Sequence, residues 1–75
     1  MTHEKIRERI CKVFDKMNIE VPQSDTQALE LDSVVFMMVV YEFENEFSVK
    51  FNINDFSGGA EPTLESLIGL IVKKT

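Results

Sequence analysis

Leu29-Glu30-Leu31-Asp32-Ser33-Val34-Val35-Phe36-Met37-Met38-Val39-Val40-Tyr41-Glu42-Phe43-Glu44-Asn45-Glu46-Phe47 is the stretch whose reading decides the fold. Phe36, Val39, Val40, Phe43 and Phe47 recur at helical spacing, so residues 33–47 are expected to form a helix with those side chains on its core face. Ser33 is the expected N-cap of that helix, with Asp32 beside its positive end. Val34, Met37, Met38 and Tyr41 fall opposite the core stripe and make a second apolar face.

Working outward, residues 18–32 carry no helical period. Pro22, Gln23, Ser24 and Asp25 mark a turn, and Ile19, Val21, Leu29 and Leu31 are spaced as anchors that can pin a long loop to a core. A loop of this length in a small domain is often functional. Before it, Ile6, Ile10, Val13, Phe14 and Met17 predict a helix over 3–17, capped by Thr2 and ended by Asn18. Cys11 falls at the edge of that stripe.

After residue 47, Val49, Phe51, Ile53 and Phe56 alternate with polar residues. Alternation suggests a strand, but no second strand is available to pair with it. The segment reads instead as an anchored loop with one helical turn near Ile53 to Phe56, closed by Ser57-Gly58-Gly59-Ala60-Glu61-Pro62. Thr63 then caps a last helix to about Lys74, with Leu64, Leu67, Ile68, Ile71 and Val72 inward and Lys73 and Lys74 at its negative end. The expected architecture is all-α, one domain over residues 1–75. It is a small bundle of three main helices, four with the short one before the last, and has a long first loop.

Seventy-five residues suffice for one small domain. At 44% hydrophobic and 28% charged, the chain has the composition of a folded globule with a modest core. The net charge is −5, unevenly spread. Residues 17–49 hold Glu20, Asp25, Glu30, Asp32, Glu42, Glu44 and Glu46 and no Lys or Arg, a zone that repels phosphate backbones. Nucleic acid is therefore not an expected partner. A single cysteine points to a reducing compartment, and neither a signal-peptide core nor a bilayer-length apolar run is present. The expectation is a cytoplasmic monomer.

Catalytic readings fail on residue types. Serine hydrolysis needs a base near the nucleophile, yet His3 is the sole histidine and Ser33 lacks a Gly-x-Ser-x-Gly setting. One His and one Cys make no zinc site. Asn52-x-Asn54-x-Phe56 opens like a calcium loop, but its fifth position is aromatic and its twelfth is not Glu. No enzyme activity and no metal site are expected.

What remains is a serine at a helix start, after an acidic residue and a long loop, where free N–H groups and the helix dipole favour a phosphodiester. Here the chain resembles the acyl carrier protein family along nearly its whole length. Members place an Asp-Ser-Leu-like tripeptide at the start of their second helix and end that helix with acidic residues and Phe. This chain has Leu29, Asp32-Ser33-Val34, Phe36, Val39, Val40 and Phe43, then Glu44-Asn45-Glu46-Phe47, in register and without a gap.

The resemblance implies that Ser33 receives 4′-phosphopantetheine from coenzyme A through a separate phosphopantetheinyl transferase. It implies that Asp32 is recognised by that enzyme and helps it position magnesium. It further implies acyl- or aminoacyl-loading and acyl-transfer enzymes as partners, with cargo held as a thioester for fatty-acid, polyketide or modification chemistry. Val34 stands where leucine is usual and Glu30 where many members have glycine, so the backbone before the serine is open to a different turn.

The Val34, Met37, Met38, Tyr41 stripe is read in two ways. Either cargo, arm or loop covers it inside the monomer, or it is an exposed docking patch whose methionines adapt to partner surfaces, with Glu42, Glu44 and Glu46 adding attraction to basic residues. The second is preferred because the core face is complete without the stripe; self-association through the patch stays open. The alternative function is a helical interaction module without a prosthetic group, binding a partner helix through the same face.

Overall fold

The computed structural model describes residues 1–56 and 61–75. Three α-helices, α1 (His3–Lys16), α2 (Ser33–Phe47) and α3 (Leu64–Lys74), are joined by a long loop and by a segment containing one 3-10 turn, Ile53–Phe56. The all-α expectation and the three helix positions hold. The count of four is met only by including that single turn, and the Ser57-Gly58-Gly59-Ala60 closure lies outside the described residues.

Each helix begins where a side chain replaces missing backbone partners. The Thr2 hydroxyl accepts from the Lys5 N–H at 3.2 Å to start α1. Asn18 ends it with a left-handed φ of 59°, a conformation asparagine tolerates. Thr63 and Ser66 form a reciprocal capping box at α3. Ser48 closes α2 in the left-handed region and returns its N–H to the Glu44 carbonyl.

The start of α2 corrects the sequence reading. Asp32, not Ser33, is the N-cap: its backbone is extended and its Oδ1 accepts from the Val35 N–H at 2.9 Å. Ser33 is the first helical residue. The physical reason is reach, since the cap's carboxylate meets the N–H three residues on while a residue inside the first turn has no such donor ahead of it.

The core joins all three helices. Ile6, Ile10, Val13 and Phe14 of α1 meet Val39, Phe43 and Phe47 of α2 and Leu64, Leu67, Ile68 and Ile71 of α3. Phe14 stacks on Phe43 with ring centroids 6.3 Å apart, and Phe47 meets Phe43 edge-on at 6.1 Å. Phe36 and Val40 are only half-buried. Phe36 lies toward the amino end of α2 and packs edge-on against Phe56 at 5.2 Å, so the 3-10 turn is its cover. Val72, expected inward, is 37% exposed on the outer side of α3.

Four contacts pin the long loop. Both Nε and Nη2 of Arg7 reach Asp25 Oδ1, at 3.0 and 2.9 Å, which raises the guanidinium's pKa through the hydrogen bond and then the charge. The Glu65 N–H donates to the Asp25 carbonyl and the Leu29 N–H to the Pro62 carbonyl, both at 2.9 Å. Leu29 is buried, while Ile19 and Leu31 pack at the core's edge. Val21 is exposed and anchors nothing, because the turn that follows carries it to the surface. The alternating segment after α2 forms no strand among the described residues. Val49 and Phe51 pack on the core, and the Asn52 N–H donates to Asp55 Oδ2 at 2.8 Å to set the turn.

Two measurements probe this frame. Phe43→Ala removes the ring at the centre of the aromatic row and is expected to cost about 3–5 kcal/mol in chemical denaturation. Asp55 is held below the ordinary aspartate range, first by the Asn52 N–H and then by Lys74, whose Nζ lies 3.1 Å away. A lowered native pKa stabilises the fold above the unfolded aspartate range, and that share is lost as pH falls through the native value. Asp55→Asn should therefore lower the melting temperature at pH 7, and its gap from wild type should close as pH drops below about 4.

Candidate functional site

The amino end of α2 lies at the surface, with Asp32, Ser33 and Val34 exposed. Leu29 is held by the core and by Pro62, and the Leu31 N–H donates back to the Leu29 carbonyl at 3.0 Å. That tight turn delivers Asp32 to the surface. Glu30, standing where a glycine is usual in the resembled family, is exposed and keeps a negative φ, since Asn18 and Ser48 are the positive-φ non-glycine residues among those described. No glycine is needed there.

With Asp32 holding the cap, the Ser33 hydroxyl is free. Among the described residues it makes no hydrogen bond, and the side chain is exposed. Asp32 Oδ1 serves Val35, and the Phe36 N–H returns to the Asp32 carbonyl at 2.9 Å. The N–H groups of Ser33 and Val34 find no acceptor among the described residues and remain at the positive end of the helix. A phosphodiester on Ser33 Oγ fits this end on both counts, donors and dipole. The second carboxylate oxygen of Asp32 also stays available beside the serine.

The stripe beside Ser33 is open to solvent. Val34 is 69% exposed, Met37 71%, Met38 54% and Tyr41 63%. Among the described residues no loop covers them, which speaks against the reading that buries the stripe under a loop. Val34, Met37, Met38 and Tyr41 line a shallow groove of about 530 Å³ together with Met17 and Glu42. Met37 and Tyr41 also border a second groove, of about 420 Å³, whose far wall is Phe51 and Phe56.

The acids expected to flank that patch are engaged within the fold. Glu42 pairs with Lys16 at 3.1 Å and Glu46 with Arg9 at 3.5 Å. Glu44 Oε2 accepts from the Phe51 N–H at 2.9 Å and ties α2 to the segment after it. Their spacing marked them as acidic. Nothing in the sequence signalled that α1 and a loop N–H would take them up.

Sequence reasoning passed over a further apolar groove. It runs between Phe36 and Phe56 on one side and Pro62, Leu67 and Leu70 on the other. The residues lie far apart in the chain, and only the packing of the 3-10 turn against α3 brings them together. Groups of His, Cys, Asp and Glu able to hold a metal are absent among the described residues.

A family model described as phosphopantetheine attachment site matches residues 4–71. No curated protein and no solved structure matches the chain.

The capping assignment is directly testable. Asp32→Ala should lower stability by about 0.5–2 kcal/mol, the usual cost of losing an N-cap, whereas Ser33→Ala should leave the denaturation midpoint nearly unchanged. The reverse order in urea titrations would return the cap to Ser33.

Proposed function

This chain belongs to the phosphopantetheine attachment site family, and we propose on that premise that Ser33 is its attachment residue. Members carry 4′-phosphopantetheine on a serine and are carriers rather than catalysts, so the chain is a carrier protein and not itself an enzyme. The finer reading is that it holds acyl or aminoacyl groups as thioesters and presents them to loading and transfer enzymes. When bound, 4′-phosphopantetheine supplies the thiol that forms the thioester.

The observation that carries the Ser33 assignment is the released hydroxyl. Asp32 performs the capping, so Ser33 Oγ is exposed, unbonded among the described residues, and backed by two free N–H groups. Transfer from coenzyme A forms a bond from Ser33 Oγ to the phosphorus that bears pantetheine and breaks the pyrophosphate linkage, with adenosine 3′,5′-bisphosphate as the leaving group. The serine proton leaves to a base of the transferase. Asp32, with one oxygen committed to Val35 and one unengaged, suits recognition by that enzyme and the placing of its magnesium.

Docking is assigned to Val34, Met37, Met38 and Tyr41, which are exposed on the same helix as the serine. A face so poor in free charge suits a narrow set of partners. That favours a dedicated fatty-acid, polyketide or modification pathway over a carrier that serves many enzymes. The groove between Phe36, Phe56 and Leu67 offers apolar walls to a cargo chain. Cytoplasmic residence is supported by the free Cys11, and none of the described helices is long and apolar enough to cross a membrane. An interaction module without a prosthetic group accounts for the apolar face but not for the family match.

Incubation of the apo protein with coenzyme A, magnesium and a broad-specificity phosphopantetheinyl transferase should raise its intact mass by one phosphopantetheine. The gain should disappear in Ser33→Ala, whose circular dichroism should match wild type. A folded Ser33→Ala that still gains the mass would place the attachment elsewhere.

A further inference from the structure

We infer that Met37 and Met38 are a peroxide-sensitive modification site, where conversion to methionine sulfoxide weakens the docking of partner enzymes and leaves the fold intact. The inference rests on the reading that Val34, Met37, Met38 and Tyr41 form the docking face. Met37 is 71% exposed and Met38 54%, side by side in the middle of that face. The other methionines lie elsewhere. Met1 is exposed at the amino terminus, and Met17 is half-buried against the core at the end of α1. Thioether oxidation follows access to the sulfur, so the pair on α2 is open to a dissolved oxidant while Met17 is shielded.

The step is a two-electron oxygen transfer. A lone pair of the thioether sulfur attacks one oxygen of hydrogen peroxide, and an S–O bond forms as the O–O bond breaks. The other oxygen leaves as water with both protons. Sulfur is oxidised and peroxide reduced. A dithiol-dependent methionine sulfoxide reductase reverses the change, its thiols becoming a disulfide while the oxygen departs as water. Charge specifies the oxidant. The chain carries −5, and Glu42 and Glu44 border the two grooves that contain the methionines, so anionic oxidants are repelled and a neutral peroxide is not.

Position makes this a switch rather than damage. A sulfoxide in a packed interior disrupts it, but α2 fills the core with Val39, Phe43 and Phe47, and Met37 and Met38 stand away from that face. What changes is the surface. A sulfoxide is a polar acceptor, and an apolar partner that covers it must strip its water without supplying a donor. Met37 borders both grooves and stands one helical turn, about 6 Å, along α2 from Ser33, so the change falls beside the attachment residue.

The test uses the full apo chain carrying Cys11→Ser, so that each gain of one oxygen reports a methionine. In timed exposure to hydrogen peroxide, peptide mass spectrometry should show Met37 and Met38 oxidising within about threefold of the rate of Met1. Both should react at least about fivefold faster than Met17. The melting curve should not move. With coenzyme A, magnesium and a broad-specificity phosphopantetheinyl transferase, the oxidised chain should show a carrier KM raised at least about fivefold, restored by methionine sulfoxide reductases acting on both epimers. The Met37→Leu, Met38→Leu double variant should give the same KM before and after peroxide, whatever its starting value. Oxidation of the pair no faster than of Met17 would overturn the inference. So would an unchanged KM on oxidation when Met38→Glu raises it, or unfolding on oxidation that the double variant escapes. If neither oxidation nor Met38→Glu alters KM, the docking reading falls and takes the inference with it. A chain that is never loaded removes the attachment reading as well.

Discussion

The hydrogen bond from the Val35 N–H to the Asp32 carboxylate, at 2.9 Å, is the contact on which the site depends. An N-cap satisfies a donor that the helix cannot satisfy itself, and it fixes the residue at which helical geometry begins. Because Asp32 takes that role, Ser33 enters the helix as its first residue with its hydroxyl uncommitted. A one-residue shift of the cap would turn the hydroxyl inward to a backbone N–H and remove it from chemistry.

The cap holds its place because the chain before it is anchored. Asp25 is bound by the Arg7 guanidinium and by the Glu65 N–H, and Leu29 by the core and the Pro62 carbonyl. These contacts reach α1, the start of α3 and the core. A loop with no regular structure of its own thereby gains fixed ends, and the short run from Leu29 to Asp32 is too brief to wander. The aromatic row of Phe14, Phe43 and Phe47 supplies the packed interior against which the loop closes.

The same economy of partners shapes the surface of α2. In a domain this small, α2 is tied to its neighbours along its inner side and flanks, and its three glutamates are used for that purpose. Glu42 and Glu46 reach back to α1, and Glu44 fixes the segment leading to the 3-10 turn. The face left to solvent is consequently apolar. An acidic sequence thus yields a helix on which two of the three glutamates are paired with cations of α1, while Glu44 accepts a backbone N–H beside Met37 and Tyr41.

The sequence by itself determined the helices, their boundaries within a residue or two, and the serine at the head of α2. Those follow from local rules, the 3.6-residue apolar period, the capping side chains and the left-handed preference of Asn18. It also determined that Val34, Met37, Met38 and Tyr41 oppose the core, because a helical wheel needs no neighbours to be drawn. Tertiary structure decided the rest. Whether Asp32 or Ser33 caps depends on how the pinned loop enters the helix. Whether Phe36 is core or rim depends on Phe56, twenty residues away in sequence. Which glutamates are free depends on Lys16 and Arg9, brought across from another helix. Periodicity records which side of an element is apolar, but pairing between distant residues is set only when the elements pack.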